Sequence, residues 1–178
     1  SSSPFDLRWG VKVPMRDGVE LNATVYLPQG QREPLPVILA MTPYISDRYH
    51  GFAVPLAKRG YVVAVVDVRG RGSSGGEFYP FAQEGRDGFD TVEWLAKQPW
   101  CNGKVGMMGG SYGGFNQWFI AKSFPPHLAT IIPVASGHGG VDFPFPLGVG
   151  APYQMQWITF TSGKTASNNL FGDAAFAL

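Results

Sequence analysis

Polar and apolar positions alternate early in the chain and then give way to near-continuous apolar runs. In residues 19–27, Val, Leu and Ala alternate with Glu, Asn, Thr and Tyr, which is the period of a strand with one buried face. Asp17 and Gly18 supply a turn just before this segment. Residues 11–27 are therefore predicted to form an antiparallel hairpin.

Later segments have the apolar character of parallel strands that are covered on both faces. These predicted strands are 37–41, 61–66, 105–108 and 129–135, with helical patterns between them at 50–59, 83–97 and 111–123. This order predicts an α/β fold, with a mostly parallel sheet, an N-terminal antiparallel hairpin and helices on both faces. Residues 1–140 are assigned to that domain. Residues 141–178, rich in Gly, Pro and aromatics, are predicted to begin an inserted or capping segment.

Charge and composition narrow the possible functions. The 178 residues carry a formal net charge of +1, which does not indicate binding to nucleic acid or to an anionic membrane. No apolar run reaches the roughly 18–20 residues of a membrane span. The single cysteine, Cys101, allows no internal disulfide and gives no metal-ligand spacing. A soluble protein without metal or cofactor is expected, either cytoplasmic or exported with its signal removed.

A serine between glycines carries the main chemical signal. Gly109-Gly-Ser-Tyr-Gly113 fits G-x-S-x-G and lies between a predicted strand and a predicted helix. On such a turn the serine is strained and exposed, and the helix that follows directs its N–H groups toward an oxyanion. Ser111 is therefore predicted to be a nucleophile. The alternative is a glycine-rich turn in which Ser111 caps the helix.

Thr42-Pro43-Tyr44 follows the first predicted parallel strand, where an oxyanion loop lies in folds with this kind of serine turn. One oxyanion donor there would be the backbone N–H of Tyr112. No HGGG segment supplies the other, but the Tyr44 hydroxyl is a competent donor. Spacing alone is equally compatible with Tyr44 packing at the sheet edge.

Three other features are interpreted as structural. Gly70 to Gly75 matches the dinucleotide fingerprint G-x-G-x-x-G but does not open into a helix, so we expect a tight loop in which Asp67 and Arg69 bind backbone. Cys101 is expected to be a small residue in a turn, because no base partner is evident. Four acidic residues are expected to supply a solvated helix face and charge at the helix N-terminus rather than a metal site: Glu84, Asp87, Asp90 and Glu93.

Three stretches together indicate a family. They are MRDGVELNATVYLP with MTPY, DVRGRGSSGGEF (67–78) and EGRDGFDTVEWLAKQPWCNGKVGMMGGSYGG (84–114). The combination, which runs from about residue 11 to residue 142, resembles the cocaine esterase and X-Pro dipeptidyl-peptidase family of α/β-hydrolases. The resemblance implies that 1–140 is the N-terminal part of an α/β-hydrolase domain, incomplete here, and that 141–178 begins its helical cap.

Members of that family are serine hydrolases of esters or amides, with a Ser-Asp-His triad and a C-terminal jelly-roll domain. By resemblance, Ser111 matches the nucleophile, Tyr44 the oxyanion tyrosine and the Tyr112 amide the second donor. Phe145 and Trp157 fall where aromatic residues wall an acyl pocket. Asp142 is followed by Phe-Pro-Phe-Pro rather than by further acids, so a site for a substrate amine is not expected.

The histidine of a triad is harder to place. His127 precedes the strand at 129–135 and should lie about 20 Å from Ser111, at the opposite sheet edge. His138 follows that strand and could approach Ser111 together with Asp142, although a loop histidine is the simpler interpretation. We expect the acid and histidine beyond this segment, supplied by the remainder of the same hydrolase, with a homo-oligomer as another way to cover the open sheet edge.

The sequence thus predicts a serine hydrolase that cleaves carboxylic ester or amide bonds, including X-Pro peptides, through an acyl-enzyme on Ser111. Its substrate would be a small ester or peptide. The alternative is a catalytically incomplete module that binds a ligand or partner without turnover. A nucleotide-dependent reductase, which depends on the glycine loop alone, is a distant third.

Overall fold

A computed structural model of the chain describes residues 4–137, 142, 149–150 and 152–165. Six strands and four α-helices lie within these residues, together with a short 3₁₀ helix at Ser46–Tyr49. In chain order they are β1 (Phe5–Pro14), β2 (Glu20–Pro28), β3 (Leu35–Thr42), α1 (His50–Ala57), β4 (Val62–Asp67), α2 (Glu84–Ala96), β5 (Cys101–Gly110), α3 (Tyr112–Lys122), β6 (Leu128–Val134) and α4 (Pro152–Phe160).

The strands form one sheet in the order β1-β2-β4-β3-β5-β6. β1 pairs antiparallel with β2, and β2 pairs antiparallel with β4. From β4 onward every pairing is parallel, because a helix carries the chain back between successive strands. The predicted α/β fold with an N-terminal antiparallel hairpin is confirmed.

Two apolar clusters lie on opposite faces of the sheet. The larger contains residues of α2 and α3, such as Val92, Leu95 and Ile120, packed against the strands. The smaller lies under α1 and includes Ala53 and Ala57. Burying one such aliphatic side chain contributes roughly 1.5–3 kcal/mol to folding, so the two layers of helices fix the sheet from both sides.

The alternation in β2 was misleading about which face is exposed. Every residue from Leu21 to Leu27 is buried, including Thr24 and the fully buried Tyr26. Tyr26 belongs to the cluster under α1, and its hydroxyl lies 3.3 Å from Nδ1 of His50. Because α1 covers the face that the pattern assigned to solvent, β2 is an interior strand rather than a half-buried one.

Glu84 and Asp87 lie in the first turn of α2, as expected of charge at a helix N-terminus, but they do not form a solvated face. Glu84 and Asp87 are buried, with 4% and 2% of their surface exposed. Asp87 accepts two hydrogen bonds of 2.7 Å from the Arg69 guanidinium, whose pKa is raised chiefly by this contact. Asp90 pairs with Arg16 at 2.6 Å. These carboxylates therefore join α2 to the loops beside it.

Cys101 also differs from expectation, since it begins β5 instead of lying in a turn, and burial raises the pKa of its thiol. Among the described residues, no group of three or more His, Cys, Asp and Glu side chains could hold a metal ion. Within the same ranges no helix is both long and apolar enough to cross a membrane.

Candidate active site

Ser111 lies alone between the last residue of β5 and the first residue of α3. Its backbone has φ 56° and ψ −122°, a region that residues with a side chain seldom adopt. Its N–H donates to the Val134 carbonyl at 3.0 Å, and its own carbonyl accepts from the N–H groups of Gly114 and Phe115, both at 2.9 Å. Backbone contacts on both sides thus hold the strained conformation.

The glycines of this turn are required by close backbone approach. A Cβ on Gly109 would lie 3.1 Å from the Gly113 carbonyl oxygen. A Cβ on Gly114 would lie 2.8 Å from the Val134 carbonyl oxygen, which is the closer of the two approaches. Gly114 follows the five-residue motif, so the motif alone gave no reason to single it out.

Ser111 occupies the N-cap position of α3, but in the described part of the chain its side chain makes no capping hydrogen bond. The residue is exposed and lines a cavity of about 180 Å³. The geometry therefore favours a nucleophile elbow over a capping serine. The Tyr112 N–H follows directly, in the first turn of α3, where backbone donors have no partner inside the helix.

Tyr44 lines the same cavity as Ser111. Its N–H donates to the Thr42 hydroxyl at 2.9 Å, which turns the chain immediately after β3. The next residue, Ile45, has a positive φ of 74°, a strained value for a branched side chain. Tyr44 therefore lies at the cavity that Ser111 lines as well as packing against the core.

Two buried charged residues, one at the end of β4 and one in the loop after it, hold the Tyr44 loop in place. Asp67 accepts from the Ser46 N–H at 2.6 Å, and burial raises the pKa of this carboxyl. Arg71 donates from Nε to the Pro43 carbonyl at 2.8 Å. The expectation that Asp67 binds backbone is confirmed, but the cation that does so is Arg71, since Arg69 binds carboxylates.

Trp157 of α4 lies on the third side of the cavity. Its ring stacks on Tyr112 and on Phe81, each with ring centroids 5.7 Å apart. Its indole N–H donates to the Tyr44 hydroxyl at 2.9 Å. The structure thus brings together Ser111, Tyr44, Tyr112 and Trp157, while Phe145 lies outside the described residues.

Tyr112 and Glu84 form a buried pair that sequence reasoning missed. The Tyr112 hydroxyl bonds to the Glu84 carboxyl and accepts from the Phe81 N–H at 3.0 Å. Burial raises the pKa of both side chains, because each charged form would lose water. The pair joins the N-terminus of α2 to that of α3, directly beneath the serine turn.

A second, wider cavity of about 780 Å³ shares Phe115, Gly137 and Asp142 with the first. Trp118 and Phe119 add aromatic surface, and Lys122 adds one cation. A space of this size could hold a substrate group beyond the reacting carbonyl.

Neither histidine in the described residues reaches the site. The Val105 N–H donates to the His127 carbonyl at the start of the β5-β6 pairing, whereas Ser111 follows its other end, so His127 lies at the opposite sheet edge, as predicted. Its Nδ1 lies 2.8 Å from the Glu93 carboxylate. His50 contacts Tyr26 under α1. His138 lies outside the described residues, and Asp142 lines the cavity.

The glycine loop after β4 does not have the geometry of a dinucleotide site. The Gly70 N–H donates to the Gly75 carbonyl at 2.8 Å, so the loop closes on itself. The next helix begins only at Glu84. A phosphate site of this kind needs a helix that starts at the glycines, so the fingerprint is a coincidence of spacing.

A mostly parallel sheet with a serine on a strained strand-to-helix turn defines an α/β-hydrolase fold. The model of the X-Pro dipeptidyl-peptidase (S15) family matches residues 17–177, and the chain belongs to this family. The family resemblance inferred from the motifs is confirmed.

The chain is 40% identical over 137 residues to cocaine esterase of Rhodococcus sp. (strain MB1 Bresler), covering 72% of this chain and 23% of that protein. Among solved structures it is similar to an α-amino acid ester hydrolase, with a TM-score of 0.81 and 26% identity over 94% of this chain and 32% of that one. An aminopeptidase from a marine sediment archaeon, Thaumarchaeota archaeon, gives a TM-score of 0.70 and 28% identity over 80% and 27% of the two chains. The chain spans about a quarter of the length of the curated relatives it matches.

Proposed function

We propose that the protein is a serine hydrolase that cleaves carboxylic ester or amide bonds through an acyl-enzyme on Ser111. One observation carries the proposal: Ser111, exposed and held at φ 56°, lines the same cavity as Tyr44. Membership of a family whose relatives include esterases and peptidases supports the reaction class.

In the proposed reaction, the Ser111 hydroxyl attacks the carbonyl carbon while a base takes its proton. The resulting oxyanion accepts hydrogen bonds from the Tyr44 hydroxyl and the Tyr112 N–H. The leaving alcohol or amine departs with a proton from the same base, and water then hydrolyses the acyl-enzyme. The histidine that serves as this base, and the acid that orients it, are proposed to come from the remainder of the same hydrolase.

The walls of the cavity support an apolar acyl group. Phe81, Phe115 and Trp157 line it beside the serine. We propose that Trp157 and, by family resemblance, Phe145 contact the acyl group of a small ester or peptide. The wider cavity beyond Phe115 would then take whatever extends past that group.

The test is replacement of Ser111 by Ala in the protein expressed at its full length, with a p-nitrophenyl ester and an X-Pro anilide as substrates. Ser123→Ala is the matched control, because Ser123 follows the far end of α3 and its hydroxyl donates to the Phe119 carbonyl of that helix at 3.3 Å. Turnover should fall by at least ~10³-fold in the first variant and stay unchanged in the second. Undiminished turnover in Ser111→Ala would refute the proposal.

A non-catalytic ligand-binding module is the second candidate, because neither His50 nor His127 in the described residues lines the cavity. The two candidates differ in their response to a fluorophosphonate, which labels only an activated serine. Labelling of the Ser111 peptide, detected by mass spectrometry and lost in Ser111→Ala, would exclude the module.

A further inference from the structure

The hydrogen bond between Trp157 and Tyr44 has a fixed direction. An indole N–H can only donate, so the Tyr44 oxygen is the acceptor in this 2.9 Å contact. The phenolic proton is therefore not used by Trp157. Within the described residues this hydroxyl makes no second hydrogen bond, and Tyr44 lines the cavity beside Ser111.

We propose that Trp157 is a positioning residue for the oxyanion site, in addition to any contact it makes with the acyl group. Its N–H occupies one acceptor side of the Tyr44 oxygen and so directs the Tyr44 proton toward the reacting carbonyl. This inference rests on the proposed function, since it assumes that Tyr44 donates to the oxyanion. A donor oriented before the reaction needs no reorganisation when charge develops.

The indole is held firmly enough for this role. Only 5% of Trp157 is exposed, and its ring is nearly parallel to Tyr112, with an angle of 14° between the planes. Phe81 stacks on it at 23°. Because both rings limit rotation of the indole, the N–H direction is set by packing against the serine turn itself.

A buried arginine ties the backbones on both sides of this contact together. Arg71 donates to the Pro43 carbonyl, one residue before Tyr44, at 2.8 Å. The same guanidinium donates to the carbonyls of Ser162, at 3.1 Å, and Gly163, just after α4. The fully buried Arg71 side chain therefore fixes both the loop that carries Tyr44 and the segment that follows Trp157 and α4.

The hydrogen bond should also strengthen Tyr44 as a donor. An oxygen that accepts a hydrogen bond polarises its own O–H, which then donates more strongly to a developing negative charge. This contribution appears in the transition state rather than in substrate binding. Loss of the indole N–H should accordingly lower kcat and leave KM for a small ester nearly unchanged.

The experiment is a double-mutant cycle in the full-length protein with Trp157→Phe and Tyr44→Phe. Trp157→Phe keeps a stacking ring and removes the N–H, so kcat for p-nitrophenyl acetate should fall about three- to tenfold. Tyr44→Phe alone should lower kcat by ~10²–10³-fold. In the Tyr44→Phe background, Trp157→Phe should cause no further loss, because the oxygen that it positions is gone.

Trp94→Phe is the matched control, since it removes a partly buried indole from α2 without touching the cavity. Thermal unfolding of each variant checks that all remain folded. If Trp157→Phe lowers kcat equally in the wild-type and Tyr44→Phe backgrounds, or changes only KM, the positioning role is overturned. Trp157 would then be only a wall of the acyl pocket. An active Ser111→Ala variant would instead reject the proposed function, so the two failures are distinguishable.

Discussion

Replacement of Gly114 by Ala tests how tightly the serine turn is built. Gly114 lies in the first turn of α3, where alanine would ordinarily stabilise the helix by about 1 kcal/mol. Here the added Cβ would lie 2.8 Å from the Val134 carbonyl oxygen, 3.0 Å from the Ser136 Cβ and 3.2 Å from the Gly109 carbonyl oxygen. Two of these three neighbours are backbone atoms, which cannot rotate away.

The clash should outweigh the helix propensity. Relieving it requires α3 and β6 to separate by roughly half an ångström, and forced overpacking of this kind costs about 1–3 kcal/mol. Net destabilisation is therefore expected at up to about 2 kcal/mol once the helix term is subtracted. The larger effect is on activity, because the Gly114 N–H holds the Ser111 carbonyl at 2.9 Å and moves with the helix. A displacement near 1 Å at a reacting group can cost ~10²-fold in rate.

The assay compares kcat/KM for a p-nitrophenyl ester and the midpoint of chemical denaturation in wild type and Gly114→Ala. Gly110→Ala is the matched control in the same turn, since its Cβ would meet nothing closer than 3.7 Å. Gly114→Ala should lose at least ~10-fold in kcat/KM while Gly110→Ala loses much less. Equal losses in both variants, or full activity in Gly114→Ala, would show that the close approach to Val134 does not constrain Ser111.

Two further predictions concern buried charged residues. Arg71→Met leaves the carbonyls of Pro43 and Ser162 without their donor, so the free energy of unfolding should fall by about 2–4 kcal/mol, measured by urea denaturation. Burial raises the pKa of Glu84, so the folded protein retains a proton that the unfolded chain releases near pH 4.3. The contribution of Glu84 to the free energy of unfolding is fully present below that pH and is lost as the pH rises through the higher folded pKa. Glu84→Gln should therefore make the free energy of unfolding fall less steeply with rising pH.

Each of these predictions has its own control. Arg59→Met removes an exposed arginine that also donates to a backbone carbonyl, that of Pro55 at 3.0 Å, and should cost less than about 1 kcal/mol. A loss as large as that of Arg71→Met would contradict the argument from burial. For Glu84, unfolding free energies between pH 4 and pH 8 are compared in both proteins. An unchanged slope in Glu84→Gln would mean that this carboxyl does not carry the pH dependence.

Local patterns were sufficient to predict the order of strands and helices and the turn that carries Ser111. The apolar runs, the turn at Gly18 and the glycines around Ser111 each act within a few residues, and each prediction is borne out within the described residues. The exposed face of β2 was predicted wrongly, because coverage by α1 depends on packing across the sheet. Period alone cannot tell a solvent-facing Thr24 from a buried one.

The contacts that shape the candidate site could not be predicted from the sequence, because they join residues that lie far apart along the chain. Trp157 and Tyr44 are 113 residues apart, and Tyr112 and Glu84 are 28 apart. No local pattern encodes which donor meets which acceptor over such distances. The signal that could have been used was chemical: charged residues such as Glu84 or Arg71, set in apolar or glycine-rich stretches, need a partner when buried.

The glycine loop after β4 shows why a fingerprint can occur without its usual ligand. Its backbone approaches protein rather than phosphate: the Gly72 N–H donates to the Lys164 carbonyl at 2.5 Å, and a Cβ at Gly72 would collide with the Asp67 carboxylate. The Lys164 ammonium in turn donates to the Ser74 carbonyl at 2.7 Å. Glycines are needed here for the same physical reason as in a nucleotide site, which is close approach without a side chain. The group approached is the segment after α4, so this loop joins that segment to the loop that carries Tyr44, and the proposed oxyanion site depends on both.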